Sequence, residues 1–97
     1  MIRKFATQGT EDVFNGRNTK AARKTCPRGI LAIATRKLDQ LDSVEVLDEL
    51  KIPPGNGLEA LTRDRKGQHS IRINQHYRIC FTCTESGPDA VEIVDYH

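Results

Sequence analysis

Three segments in the last third of the chain alternate apolar and polar residues, and that alternation limits the fold more than any other feature. They are His69-Ser70-Ile71-Arg72-Ile73-Asn74, Arg78-Ile79-Cys80-Phe81-Thr82-Cys83 and Ala90-Val91-Glu92-Ile93-Val94-Asp95-Tyr96-His97. Strands of period two bury one face and leave the other to water, and connections this short make them an antiparallel meander. A two-residue turn at Gln75-His76 would set Ile73 opposite Arg78 and mix the faces. A three-residue turn at Gln75-His76-Tyr77 sets Ile73 opposite Ile79, Ile71 opposite Phe81, Arg72 beside Cys80 and Asn74 beside Arg78, so this register is expected. Pairing Phe81 with Ile93 extends the apolar face and sets Tyr96 across from Arg78. The open face then carries Arg72, Arg78 and Tyr96.

The apolar face needs a cover, and the first half of the chain supplies it. Ile30, Ala34, Leu38 and Leu41 fall at i, i+4, i+8 and i+11, with Leu31 beside them; that stripe belongs to a helix packed on a core. Pro27 suits its first turn. Asn18 or Thr19 caps a basic helix running to about Thr25. Thr10 opens a short helix with Glu11 and Asp12 at its positive end, and Asn15-Gly16 stops it. Ile2-Arg3-Lys4-Phe5 reads as a short strand, residues 43–51 as a helical turn, Pro53-Pro54-Gly55-Asn56-Gly57 as a rigid loop and 57–61 as another short strand. Thr62 to Gly67 forms a charged loop. The expected architecture is α+β: two amino-terminal helices on one face of a mostly antiparallel sheet of about four to five strands.

At 97 residues the chain is expected to be one domain, residues 1–97. No apolar run approaches the roughly 20 residues that span a bilayer, so no membrane partner is expected. The start, Met1-Ile2-Arg3-Lys4-Phe5, lacks the apolar stretch of a signal peptide, so the expected location is cytoplasmic. Three cysteines, Cys26, Cys80 and Cys83, cannot complete a disulfide framework and are expected to be buried, inert thiols. Cys80-x-x-Cys83 lies in a strand pattern that points its thiols to opposite faces. No second pair completes a zinc site, so neither metal nor cofactor is expected.

Charge is unevenly spread. Residues 1–37 carry nine Lys and Arg against two acids, whereas residues 38–62 carry one Lys against six acids. A basic third of this kind can track phosphates or simply face solvent. On the open sheet face, Arg72 and Arg78 can grip phosphate oxygens, with Arg63, Arg65 and Lys66 in the adjacent loop. Tyr96 can stack on an unpaired base. His97 is of the residue type that moves protons near neutral pH, and Asp95 can orient a histidine or accept a proton. Such groups suffice for metal-free transesterification at RNA. By residue type alone a terminal Asp-Tyr-His is equally a frayed end, Tyr77 and Tyr96 are equally edge-packing aromatics, and His69 and His76 suit structural roles.

Taken together, Pro53-Pro54-Gly55-Asn56, Leu58-Glu59-Ala60-Leu61, Gly67 to Asn74, Tyr77 to Phe81 and the terminal Asp95-Tyr96-His97 closely resemble the HigB toxins of type II toxin–antitoxin systems, in the RelE superfamily, with the GraT-like subgroup nearest. The likeness runs over essentially the whole chain. It implies a microbial-ribonuclease-like RelE fold, ribosome-dependent endoribonuclease cleavage of mRNA in the A site of the small subunit, and inhibition of translation and growth. It also implies neutralisation by a HigA-like helix-turn-helix antitoxin, with operator DNA contacted only through that partner. Asp95, Tyr96 and His97 match the family's catalytic triplet, and Arg78 matches its sheet arginine. Some HigB toxins have a catalytic histidine in the strand after the P-P-G-N-like loop; Glu59 stands there in this chain and is the remaining catalytic candidate. That departure keeps a second reading open: a weakly catalytic or non-catalytic toxin that binds ribosomal RNA and perturbs ribosome assembly.

Overall fold

The computed structural model describes residues 1–96. Three helices, α1 (Gln8–Phe14), α2 (Lys20–Thr25) and α3 (Leu31–Ser43), precede four strands, β1 (Glu59–Ala60), β2 (Gln68–Arg72), β3 (Tyr77–Thr84) and β4 (Gly87–Asp95). Short 3₁₀ turns lie at Arg28–Ile30, Leu47–Lys51, Pro54–Asn56 and Arg63–Arg65. The strands form one sheet in the order β1-β2-β3-β4, with every neighbouring pair antiparallel. The amino-terminal segment runs beside β4 in parallel: Arg3 N donates to Pro88 O (2.7 Å), Val91 N to Lys4 O (3.0 Å) and Ala6 N to Val91 O (2.8 Å). No helix among the described residues is long and apolar enough to cross a membrane.

Side-chain caps set where the helices start. Thr7, extended at φ −134°, accepts from Thr10 N and opens α1 two residues before the expected start. Thr19 accepts from Ala22 N and opens α2, each threonine satisfying an amide with no intrahelical partner. Thr10 is thereby freed for a longer-range task. It is fully buried, and its hydroxyl accepts from Ile93 N at 3.1 Å, tying α1 to β4. Gly9 sits where α1 and α2 touch: a Cβ there would lie 1.9 Å from Thr25 Oγ1 and 2.6 Å from Ala21 O.

The core fills the space between α1, α3 and one sheet face. Ala34, Leu38, Leu41, Ile71, Ile79 and Val91 have no solvent exposure, and Phe81 has almost none. Each large member adds about 1.5–3 kcal/mol through burial. Leu31 departs from the expected stripe and is 43% exposed at the first position of α3.

The registers also differ from expectation, each by two residues. Ile71 pairs with Ile79 and Arg72 with Arg78, while Ile79 pairs with Ile93, Arg78 with Val94 and Tyr77 with Asp95. The physical reason is the turn. Asn74 Oδ1 accepts from both His76 N and Tyr77 N at 2.8 Å, and Ile73 N donates to Tyr77 O, so residues 73–76 all lie in the connection. A shift of two keeps side-chain parity, so the buried and open faces are the expected ones. The cysteines divide: Cys26 and Cys80 are buried, whereas Cys83 is exposed because it lies beyond the bulge between Cys80 and Thr82.

Candidate functional site

On the sheet face away from the helices, the registers bring four residues into one row: Glu59, Ser70, Cys80 and Glu92 from β1 to β4. Arg78 starts one pleat away and reaches back over this row. Its guanidinium donates to Ser70 Oγ at 2.7 Å and to Gly57 O at 3.3 Å, and lies 3.8 Å from a Glu59 carboxylate oxygen. Only 11% of its side chain is exposed. An arginine held by three partners keeps its fork aimed in one direction, the arrangement that planar recognition of a phosphate requires.

Tyr96 closes the other side of this arrangement. Its ring centroid is 5.9 Å from the Arg78 guanidinium carbon, and its hydroxyl is 3.9 Å from Cys80 Sγ. Burial pushes the Tyr96 phenol above its usual range, with Cys80 adding to the shift and Arg65 and Arg78 opposing it. The hydroxyl is therefore protonated at neutral pH and can donate a hydrogen bond, while the ring stays open to stacking. Burial likewise raises the Cys80 thiol, which lies inert beneath the ring.

Beside Tyr96 an open groove of about 520 Å³ runs along Glu59, Arg63, Asp64 and Arg65. Arg65 is braced by Gln68 Oε1 (3.0 Å) and Glu92 (3.3 Å). Arg63 adopts φ 56°, which turns the loop sharply at the groove wall. Lys66, exposed at the end of that turn, does not line the groove. Arg72 stands directly opposite Arg78 but belongs to a neighbouring cleft with α3.

Of the sequence-derived candidates, the fold gathers Arg78, Tyr96, Glu59, Arg63 and Arg65. It separates Asp95, which pairs with Tyr77 and shares its face, the helix side of the sheet, so it points away from Tyr96. Burial and the Asp95 carboxylate, the latter also through a hydrogen bond, raise the Tyr77 phenol. His97 lies outside the described residues. His69 lies on the helix side, stacked on Phe81 at 6.3 Å. Among the described residues no group of three or more His, Cys, Asp or Glu is arranged to hold a metal ion. The sequence reading passed over Ser70, which is fully buried and orients Arg78. Its signal was a small polar residue on the open face of an inner strand.

Comparison with known proteins adds a family. The model of the RelE-like toxin of type II toxin–antitoxin system HigB matches residues 3–97. Toxin HigB-1 of Vibrio cholerae is 44% identical over 55 residues, 57% of this chain and 58% of that protein. An uncharacterized protein of Haemophilus influenzae is 34% identical over 55 residues, 57% of this chain and 54% of its own length. The chain thus spans little more than half the length of these relatives in the matched stretch. Among solved structures, the YoeB–YefM complex from Staphylococcus aureus contains a chain matching 100% of this one and 98% of itself, at a TM-score of 0.60 and 13% identity. That likeness shows the fold, a RelE-like α+β arrangement.

Proposed function

The chain belongs to the family of RelE-like HigB toxins of type II toxin–antitoxin systems, and on that premise we propose that it is a ribosome-dependent endoribonuclease that cuts mRNA in the A site, halts translation and growth, and is neutralised by a HigA-like antitoxin. The observation that carries this reading is Arg78, held by Ser70 and Gly57 with Tyr96 alongside and Glu59 within ion-pair distance, on the sheet face away from the helices.

In this scheme the chemistry is transesterification. The Glu59 carboxylate takes the proton of a ribose 2′-hydroxyl, whose oxygen attacks the adjacent phosphorus. The bond to the leaving 5′-oxygen breaks, giving a 2′,3′-cyclic phosphate and a 5′-hydroxyl. Arg78 offsets the charge that builds on the phosphorane oxygens. Tyr96 stacks on the base and donates its hydroxyl hydrogen to a phosphate oxygen. His97 is proposed to protonate the leaving oxygen. Positioning by the ribosome carries much of the rate, and free RNA is a poor substrate.

Induction of the chain in cells with and without its cognate antitoxin, with mRNA ends mapped by primer extension, tests the reading. New ends within codons together with growth arrest, both abolished by Arg78→Ala in a folded protein, are expected. Arrest accompanied by defective ribosome profiles and no new ends would replace cleavage with binding to ribosomal RNA, the reading that Glu59 favours by standing where some HigB toxins have a histidine.

A further inference from the structure

A cleft of about 320 Å³ opens where α3, the Pro54–Asn56 turn and the end of β2 meet. Arg36, Lys37 and Gln40 of α3 line one wall and Arg72 lines the other. The wall is built on Asn56, a side chain with no solvent exposure. Its amide donates to Leu50 O (3.0 Å) and Gln40 Oε1 (3.1 Å), and its carbonyl oxygen accepts from the Lys37 ammonium. Lys37 is thus fixed by one of its three N–H donors, leaving two for the cleft. Burial, with Arg36 beside it, lowers the Lys37 pKa, as expected of a cation short of counter-charge.

Among the described residues, none of Arg36, Lys37 and Arg72 has a carboxylate within ion-pair distance. Arg72 also stands directly opposite Arg78 across β2 and β3; Glu59 offsets the charge of Arg78 at 3.8 Å, whereas Arg72 faces the cleft. Among the described residues, three cations without a carboxylate partner therefore line one concavity, and one of them, Arg72, stands opposite Arg78 on the sheet face that carries Tyr96.

We propose that this cleft binds a backbone phosphate of RNA, a second anchor for the strand that passes Tyr96. The inference rests on the reading of the chain as a toxin acting on ribosome-bound RNA. RNA fits better than an acidic protein segment because Arg72, which lines the cleft, stands opposite Arg78, and because guanidinium forks match phosphate oxygens. The anchor holds the strand in register; it takes no part in the proton transfers.

Arg36→Gln with Lys37→Gln tests it, since glutamine at position 37 can still donate to Asn56. Arg36→Gln alone is the control for folding, because Arg36 is exposed on α3. The probe is ribosomes programmed with an mRNA whose A-site codon carries 2′-O-methyl groups, which bind but cannot be cut. The double variant is expected to bind about tenfold more weakly at physiological salt, with a log–log salt slope shallower by about one unit, and the single variant to fall between. Cutting of unmodified mRNA at saturating protein should be unchanged. Equal affinity and equal slope for wild type and double variant would overturn the proposal. So would a loss confined to antitoxin binding, which would assign the cleft to an acidic protein segment. A wild-type chain that binds no programmed ribosomes would instead defeat the parent reading and this one with it.

Discussion

Tyr77 and Asp95 stand directly opposite each other on β3 and β4, where burial and the neighbouring Asp95 carboxylate raise the Tyr77 phenol. Asp95 immediately precedes Tyr96, so this pairing sets the point from which Tyr96 crosses to the open face. The backbone helps, because Tyr96 N donates to His76 O. Tyr77→Phe removes the phenol alone. Single-turnover cleavage on programmed ribosomes should fall about three- to tenfold with unchanged binding, the size of one lost hydrogen bond. A rate equal to wild type would show that Tyr77 is only a packing residue.

Glu59 is 3.8 Å from Arg78, with 53% of its side chain exposed, which leaves it open to substrate. If it is the base, Glu59→Gln lowers the cleavage rate about a hundredfold or more, and Glu59→His recovers much of the loss with a new dependence on pH near neutrality. Growth arrest and cleavage at wild-type levels in Glu59→Gln would transfer the base role to another group.

Asp12 is 4% exposed and accepts from Thr19 Oγ1 (2.6 Å) and Gln8 Nε2 (2.9 Å). These bonds, with Arg17 nearby, hold its carboxyl below the usual aspartate range. A carboxylate with a lowered folded-state pKa stabilises the fold above its unfolded value of about 3.9, and this contribution disappears as pH falls through the folded value. Urea unfolding at about pH 6 and about pH 3 should show a larger drop in stability for wild type than for Asp12→Asn. Equal drops would mean that other carboxylates govern acid unfolding.

The contact of Gly9 with α2 gives a prediction with no catalytic content. In Gly9→Ala the new methyl overlaps Thr25 Oγ1 and the Ala21 carbonyl oxygen. Because backbone oxygen cannot step aside as a side chain can, α2 must shift. The cost is about 1–3 kcal/mol, and thermal unfolding should move down by about 4–8 °C per kcal/mol for a chain of this size. An unshifted midpoint would show that α2 slides freely on α1.

The faces of the sheet were legible in the sequence because parity survives a register error. Ile71, Ile79 and Ile93 point inward whether the last β2–β3 pair encloses three residues, as expected, or the five between Arg72 and Arg78. The registers themselves were not legible, since they turn on Asn74 accepting two amide bonds, a local choice that alternation does not encode. The same alternation did carry one overlooked message: Asp95 and Tyr96, being neighbours at a strand end, face opposite ways. The stripe of Ala34, Leu38 and Leu41 was readable from spacing alone. The cleft of Lys37, Asn56 and Arg72 was not, because its parts lie far apart in sequence and meet only through the buried amide of Asn56.

The sheet also has little free margin. One border is β1, two residues long, and along the other the amino-terminal segment occupies the amide and carbonyl of Val91. A long unpaired border is the template on which identical chains stack into fibrils, and this fold leaves scarcely any. High concentrations reached during overproduction therefore give the chain little occasion to polymerise by strand addition.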